Sequence, residues 1–328
     1  MRILYAIQGT GNGHLSRARD IVPILQKKGE LDLLVSGYQA DVDLPFEVKY
    51  RCNGLSFIFG KSGGVDLLKT VTSVSPITLY GEIKEIPVEK YDLVINDFEP
   101  VSAWACKLKN IPCISLSHQC ALFSPKTPKP QKFDPVGKAI LSNYAPTTAN
   151  YGFHFDTFDK QIYTPVIRQQ IRELHPENKG HYTVYLPSYR DQTLVEKLGK
   201  FPAAKWEVFS KHNKKPLETG NVSIRPVNND GFIKSMTTSM GVLCGAGFET
   251  PAEALFLEKK LMVIPMKNQY EQHCNAAALE QMGVPVLQSL AGVDGKIEEW
   301  LETSEGVRVN YPDITEQIID ELLQKHGK

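Results

Sequence analysis

The sequence predicts an α/β protein built from two doubly wound, Rossmann-like halves that face each other across a cleft. Three observations carry this. Short apolar runs alternate with amphipathic helical stretches along the chain, the order that builds parallel sheets. Two glycine-rich turns, one near the amino terminus and one late, each follow a strand-like run and precede a helix. The length of 328 residues exceeds what a single core usually holds, so two domains are expected.

Composition excludes several classes. Hydrophobic residues make up 42% and charged residues 23%, the balance of a globular protein. Lys+Arg and Asp+Glu both number 37. No net field draws the chain to nucleic acid or to an anionic membrane, and any phosphate binding has to be local. The six cysteines (52, 106, 113, 120, 244 and 274) form no Cys-x-x-Cys pair and several sit in apolar runs. They read as buried free thiols in a reducing cytoplasm, and no metal site is expected. The amino terminus reads as a strand rather than a signal peptide, and no apolar stretch is long enough to span a bilayer.

Residues 2–8 form a buried strand, 8–14 a glycine-rich turn and 15–28 a helix, with Leu15, Ala18, Ile21, Val22 and Leu25 at helical spacing. Gly29 stops that helix and 31–36 is the second strand. The glycines run Gly9-x-Gly11-x-Gly13-His14, not Gly-x-Gly-x-x-Gly, and the second strand ends in Ser36-Gly37 without an acidic residue. A dinucleotide site is therefore a poor fit. Strand-like runs over 46–59 are broken at Asn53-Gly54, 60–64 reads as a loop and 65–79 as partly helical. Further strands are expected at 91–96 and 111–116, with a helix at 101–109 between them.

In a doubly wound sheet the first strands of the two halves of the order lie side by side, and ligands bind at their carboxyl ends. If 2–8 and 91–96 are those strands, His14 meets Asp97 or Glu99 there, and His118 ends the next strand nearby. A histidine oriented by a carboxylate is a general-base arrangement. The structural alternative is that Asp97 caps the following helix. The proline- and lysine-rich segment 124–135 reads as a solvated connector, or as a contact for an anionic acceptor or lipid headgroup through Lys126, Lys129 and Lys132.

After a hinge at 162–167, strands are expected at 182–186, 206–210, 222–225, 240–244 and 261–265, with helices at 232–238 and 250–258. The loop Gly245-Ala246-Gly247 precedes Thr250, Pro251 and Glu253, which read as N-cap, first helical residue and capping-box partner. A capped helix amino end behind a glycine loop suits a diphosphate. A last helix at 314–325 carries Ile314, Ile318, Ile319, Leu322 and Leu323 on one face, so it packs on another element. The division expected is 1–164, 165–310 and a carboxyl-terminal helical segment, 311–328, returning toward the first half.

Gly9-x-Gly11-x-Gly13-His14, Gly245-x-Gly247-x-x-Thr250-x-x-Glu253 and Gln269…Glu271-Gln272-x-x-Asn275-Ala276 together resemble the GT-B glycosyltransferases, in particular the MurG-like, family-28-like and UDP-glycosyltransferase-like enzymes. The ordered resemblance covers most of the chain. It implies hexosyl transfer from a nucleotide sugar, foremost a UDP-sugar, to an acceptor hydroxyl, inverting and metal-independent, with no further cofactor. It implies that Gly245, Ala246, Gly247 and Thr250 hold the diphosphate, that Glu253 accepts from the ribose, and that Glu271 and Gln272 meet the sugar hydroxyls. Ser188 and Phe232 fall where such enzymes line the base pocket. His14 matches their base, Asp97 its orienting carboxylate, and Gly11, Asn12 and Gly13 an acceptor or phosphate loop. The acceptor is unread: glycan, lipid-linked or small molecule. The resemblance places the enzyme in the cytoplasm and leaves room for peripheral contact with the inner membrane face. The same architecture serves nucleotide-sugar hydrolases, 2-epimerases and non-catalytic binding subunits.

The chemistry agrees with that resemblance. Helix N–H groups and a hydroxyl can absorb the charge of a departing diphosphate, and an imidazole of ordinary pKa about 6.5 suits deprotonation of a hydroxyl. Glu253 is claimed twice, by the capping box and by the ribose.

Overall fold

The computed structural model describes residues 1–37, 44–55, 76–132, 134–303 and 305–327. The expected loop at 60–64 and most of the expected partly helical stretch at 65–79 lie outside the described residues. The first sheet comprises β1 (Arg2–Gln8), β2 (Glu30–Ser36), β3 (Tyr50–Cys52), β4 (Leu93–Asp97), β5 (Ile114–Ser117), β6 (Ala149–Phe153) and β7 (Ile162–Tyr163). Their order is β3-β2-β1-β4-β5-β6-β7 and every pairing is parallel. β1 and β4 are neighbours, with Ile7 opposite Asp97, so the switch point falls where the sequence pattern puts it. The second sheet comprises β8 (His181–Tyr185), β9 (Lys205–Ser210), β10 (Leu217–Thr219), β11 (Val222–Pro226), β12 (Gly241–Gly245) and β13 (Lys260–Ile264), ordered β10-β11-β9-β8-β12-β13. Only β10 runs antiparallel. Residues 162 and 163, expected in a hinge, instead close the edge of the first sheet against β6.

Among the described residues the helices of eight residues or more are α1 (Asn12–Lys28), α2 (Pro76–Glu85), α3 (Pro100–Lys109), α4 (Pro135–Tyr144), α5 (Asp191–Leu198), α6 (Asn229–Thr238), α7 (Glu249–Phe256), α8 (Tyr270–Gln281), α9 (Asp294–Glu302) and α10 (Thr315–His326). Both halves share one apolar cluster. It runs from Tyr5, Ile21 and Leu25 through Phe153 and Phe155 to Phe248, Leu255, Ile319 and Leu322. A large apolar side chain buried this way contributes about 1.5–3 kcal/mol, so the two halves are held by core packing as well as by polar contacts. α10 returns to the first half, as expected. Ile318, Ile319 and Leu322 are buried, and Lys28 of α1 reaches both Glu316 and Asp320 at 2.8 Å. Tyr163 donates to Glu321 at 2.8 Å. Among the described residues no helix is long and apolar enough to cross a membrane. All six cysteines are free, and five are buried.

The turn after β4 is fixed locally. Glu99 accepts from the N–H groups of Val101 and Ser102, both at 2.7 Å, and so caps α3. Asn96 holds the turn from inside, accepting from the Glu99 N–H at 3.0 Å and donating to the Glu99 carbonyl at 2.7 Å. Glu99 is therefore the helix cap, and the alternative in which Asp97 caps this helix is overturned. Glu99→Ala should lower stability by about 1–2 kcal/mol, read as a fall in the urea midpoint with unchanged m; an unshifted midpoint would show that the cap carries no net stability.

Candidate functional site

α1 begins at the end of β1, earlier than apolar periodicity indicates, because Gly11 turns the chain at φ +90°. An L side chain rarely adopts that angle. Asn12, Gly13 and His14 thus form the first helical turn, and the imidazole is carried on a rigid element. His14 Nδ1 donates to Asp97 Oδ1 at 2.8 Å. That bond fixes the tautomer and leaves Nε2 as the basic nitrogen. Gln119 Nε2 lies 3.4 Å from His14 Nε2.

Asp97 is fully buried at the last position of β4. Its second partner is Arg17, three residues after His14 on α1, which donates from Nη2 to both carboxylate oxygens at 2.7 and 2.9 Å. Burial pushes the Asp97 carboxyl up, but Arg17 and then His14 outweigh it and hold it below the ordinary aspartate value. The other guanidinium nitrogen, Nη1, donates to the Glu249 carboxylate of the opposite half. Phe98 follows Asp97 with φ +56°, a strained angle for a bulky residue. Its ring stacks on Tyr144 at 4.7 Å.

The facing half supplies the loop after β12 and the amino ends of α7 and α8. Gly247, Phe248 and Glu249 with Asn268, Gln269, Tyr270, Glu271 and Gln272 line one side of a cleft of about 440 Å³. Gln8, Thr10 to His14, Phe98, His118, Gln119 and part of α4 line the other. Three helices, α1, α7 and α8, therefore begin at this cleft, and their free N–H groups make it receptive to an anion. Gln119 donates to Glu271 at 3.2 Å across the cleft, while its own buried Oε1 has no partner among the described residues. The Gln272 side chain accepts from the Met266 N–H at 2.9 Å. Through Asp134, Asn268 and Tyr270 the cleft adjoins a second cavity of about 960 Å³ bordered by residues 128–132 and α8.

The expected site residues divide. His14, Asp97, Gly11, Asn12, Gly13, Gly247, Glu271 and Gln272 come together at or immediately behind this cleft. Gly245 and Ala246 lead into it, and the Ala246 carbonyl accepts from Asn275 at 3.1 Å. His118 does not support His14. It lies flat on Phe248 with ring centroids 3.9 Å apart, faces Asn275 Oδ1 at 2.7 Å and donates Nδ1–H to the Phe153 carbonyl at 2.8 Å. It fastens the halves together, and burial holds its pKa below the ordinary value.

The capping box is absent. α7 starts at Glu249, one residue before Thr250, with no side-chain cap, so Thr250 and Pro251 lie inside its first turn. Glu253 is buried and gripped by Arg168, which donates from Nε at 2.5 Å and Nη2 at 2.8 Å. A buried carboxylate with a guanidinium in reach is better satisfied by that fork than by a lone backbone N–H. Burial nevertheless pushes the Glu253 carboxyl above the ordinary glutamate value, against the pull of Arg168. Phe232 packs on Tyr185 and Phe209 at 5.5 and 5.3 Å, and Ser188 borders a separate cavity of about 340 Å³ with Arg190, Lys197 and Lys267. Of the lysines in 124–135, Lys126 pairs with Asp159 at 2.7 Å and Lys129 is half-buried, donating to the Ser124 carbonyl at 3.2 Å.

Arg17, Gln119 and Glu249 are the site residues that sequence reasoning missed. Arg17 carried a signal: it shares a helix face with His14 and Ile21, and a cation on a buried face requires a carboxylate. Among the described residues no group of three His, Cys, Asp or Glu side chains is arranged to hold a metal ion.

A family model described as glycosyl transferase family 1 matches residues 1–302. No curated protein matches the chain. Among solved structures, MurG of Acinetobacter baumannii superposes with a TM-score of 0.59 at 15% identity, covering 99% of each chain. The Streptomyces sp. SF2575 glycosyltransferase SsfS6, complexed with thymidine diphosphate, gives 0.57 at 14%, covering 99% of both. The Arabidopsis thaliana enzyme UGT89C1, complexed with UDP, gives 0.56 at 12%, covering 99% of this chain and 94% of its own. At these identities the likeness is one of fold, two Rossmann-like domains in the GT-B arrangement.

Proposed function

The chain belongs to glycosyl transferase family 1, whose model spans residues 1–302, and from that premise we propose that it transfers a sugar from a nucleoside-diphosphate sugar to an acceptor hydroxyl by a single, inverting displacement. The observation that carries this is the His14–Asp97 pair at 2.8 Å facing the amino end of α7 across the cleft. His14 Nε2 takes the proton of the acceptor hydroxyl. Asp97, held charged by Arg17, stabilises the imidazolium that results. The acceptor oxygen attacks the anomeric carbon and the nucleoside diphosphate departs with the bonding pair. The N–H groups behind Gly245, Ala246 and Gly247, with the Thr250 hydroxyl, meet its charge without requiring a metal. Glu271 and Gln272 take the sugar hydroxyls. Glu253, in the same helix, takes the ribose once Arg168 yields it, and Ser188 and Phe232 border the base.

UDP is the first donor nucleotide to test and thymidine diphosphate the second, because the neighbours named above hold them. Phe98, Ile140, Leu141 and Tyr270 on the cleft wall suit an acceptor with an apolar part, whether glycan, lipid-linked or small molecule, and a lipid-linked one would bring the enzyme to the cytoplasmic membrane face. We divide the chain into 1–164, 165–310 and 311–328, a reading supported by the two sheets, which occupy residues 2–163 and 181–264. A thermal-shift screen of UDP, TDP, GDP, ADP and their sugars tests the donor assignment. A true donor nucleotide at a hundredfold excess over its Kd stabilises by about 2.7 kcal/mol. A screen in which no nucleoside diphosphate raises the melting temperature would defeat the reading. Release of free sugar without any acceptor would move it to a hydrolase.

A further inference from the structure

The Glu249 carboxylate stands at the first position of α7, where the helix exposes its N–H groups, and it accepts from Arg17 of the opposite half. It presses on the glycine loop as well: a Cβ at Gly13 would overlap the Glu249 carboxylate. An anion thus already fills the space between the α7 amino end, Arg17 and Gly13. Its side chain keeps 24% of its accessibility, against 2% for Arg17 and none for Asp97. It is the most exposed side chain of this cluster, His14 keeping 12%. Arg17 is held by Asp97 through Nη2 and by Glu249 through Nη1 alone, so losing Glu249 frees one donor without disturbing the other.

We propose that Glu249 is an internal stand-in for the donor's diphosphate and, with Arg17, determines which donors bind. The proposal rests on the nucleoside-diphosphate donor assigned above. An arriving diphosphate takes the α7 N–H groups, which no side chain caps, and competes with the carboxylate for Arg17 Nη1, and Glu249 turns out to solvent. A ligand carrying two or more negative charges displaces it; an uncharged nucleoside does not. The Arg17–Asp97 bonds persist through the exchange, so the orientation of His14 is unchanged.

Calorimetric titration of the full chain and of Glu249→Gln with UDP, TDP, uridine and thymidine tests this. Glu249→Gln keeps the side-chain shape and removes the competing charge. It should bind its preferred diphosphate about tenfold more tightly than wild type, with nucleoside affinity unchanged and the gain shrinking at high salt. Glu249→Ala should show the same gain, and a melting curve of each variant checks that it is folded. Diphosphate affinity that is unchanged or weaker in both variants, while wild type binds, overturns the stand-in and leaves the donor assignment in place. Absence of diphosphate binding by wild type and both variants overturns the two together.

Discussion

Replacing His14 by alanine should lower the rate of sugar transfer by about 10²–10⁴-fold while leaving nucleoside-diphosphate affinity within a factor of a few. The asymmetry follows from position. His14 sits in the first turn of α1 with its Nδ1 on Asp97, whereas the diphosphate is assigned to the α7 amino end and to Arg17, and Arg17 keeps its own bonds to Asp97 without the imidazole. Removing the imidazole takes away the proton acceptor and none of the anion-binding N–H groups. kcat should fall with little change in the affinity for donor. Asp97→Asn tests the support separately. It keeps a hydrogen-bond acceptor toward Nδ1 but no longer stabilises the imidazolium, so it should lose rate without losing donor. A His14→Ala enzyme that still turned over at the wild-type rate would remove the base assignment and shift attention to Glu271, the other cleft-lining carboxylate near Gln119.

The architecture was legible because it rests on repeating patterns. Strand runs near 2–8 and 91–96 dictated which strands adjoin at the switch point, and from that came the meeting of His14 with Asp97. What sequence left open was a choice between near-equivalent groups. Asp97 ends β4 and Glu99 lies just after it, and by sequence either could cap α3 or face the histidine. The Asn96 turn decides it by aiming Glu99 at the helix N–H groups. The capping box failed for a related reason. Thr250 and Glu253 have the spacing of a cap, but spacing is local, and Arg168, 85 residues away along the chain, claims the carboxylate. Arg17–Glu249 spans 232 residues, and no periodicity reports a contact of that kind. His118 illustrates the same limit. A histidine ending a strand at the right edge reads as chemistry, yet its ring is spent on stacking against Phe248 of the other half.

Arg17→Met should be the most destabilising single change at the site and should reverse how stability depends on pH. Arg17 is 2% exposed and holds two carboxylates. Removing one partner of a buried ion pair costs about 3–5 kcal/mol, because a charge is left without compensation. In the wild type the folded-state pKa of Asp97 is depressed. The stability it contributes is present above the ordinary aspartate value of about 3.9 and is lost as pH falls through the lower folded value. With Arg17 gone, burial is opposed by His14 alone and the Asp97 pKa rises above its unfolded value. The sign then inverts: the contribution is complete below the unfolded pKa and is lost as pH rises through the folded one. Denaturant titrations between pH 3 and pH 8 should therefore show the gap between variant and wild type narrowing toward acid. Arg17→Met combined with Asp97→Asn should recover most of the loss at neutral pH, since no buried charge remains to be neutralised. A variant whose stability tracks wild type in parallel across that range would mean that Arg17 serves as packing rather than as the counter-ion of Asp97. The stakes extend to chemistry, because the same guanidinium keeps Asp97 ionised for His14 and reaches Glu249 in the donor half. Loss of Arg17 should cost transfer activity even at an acid pH where the variant is fully folded.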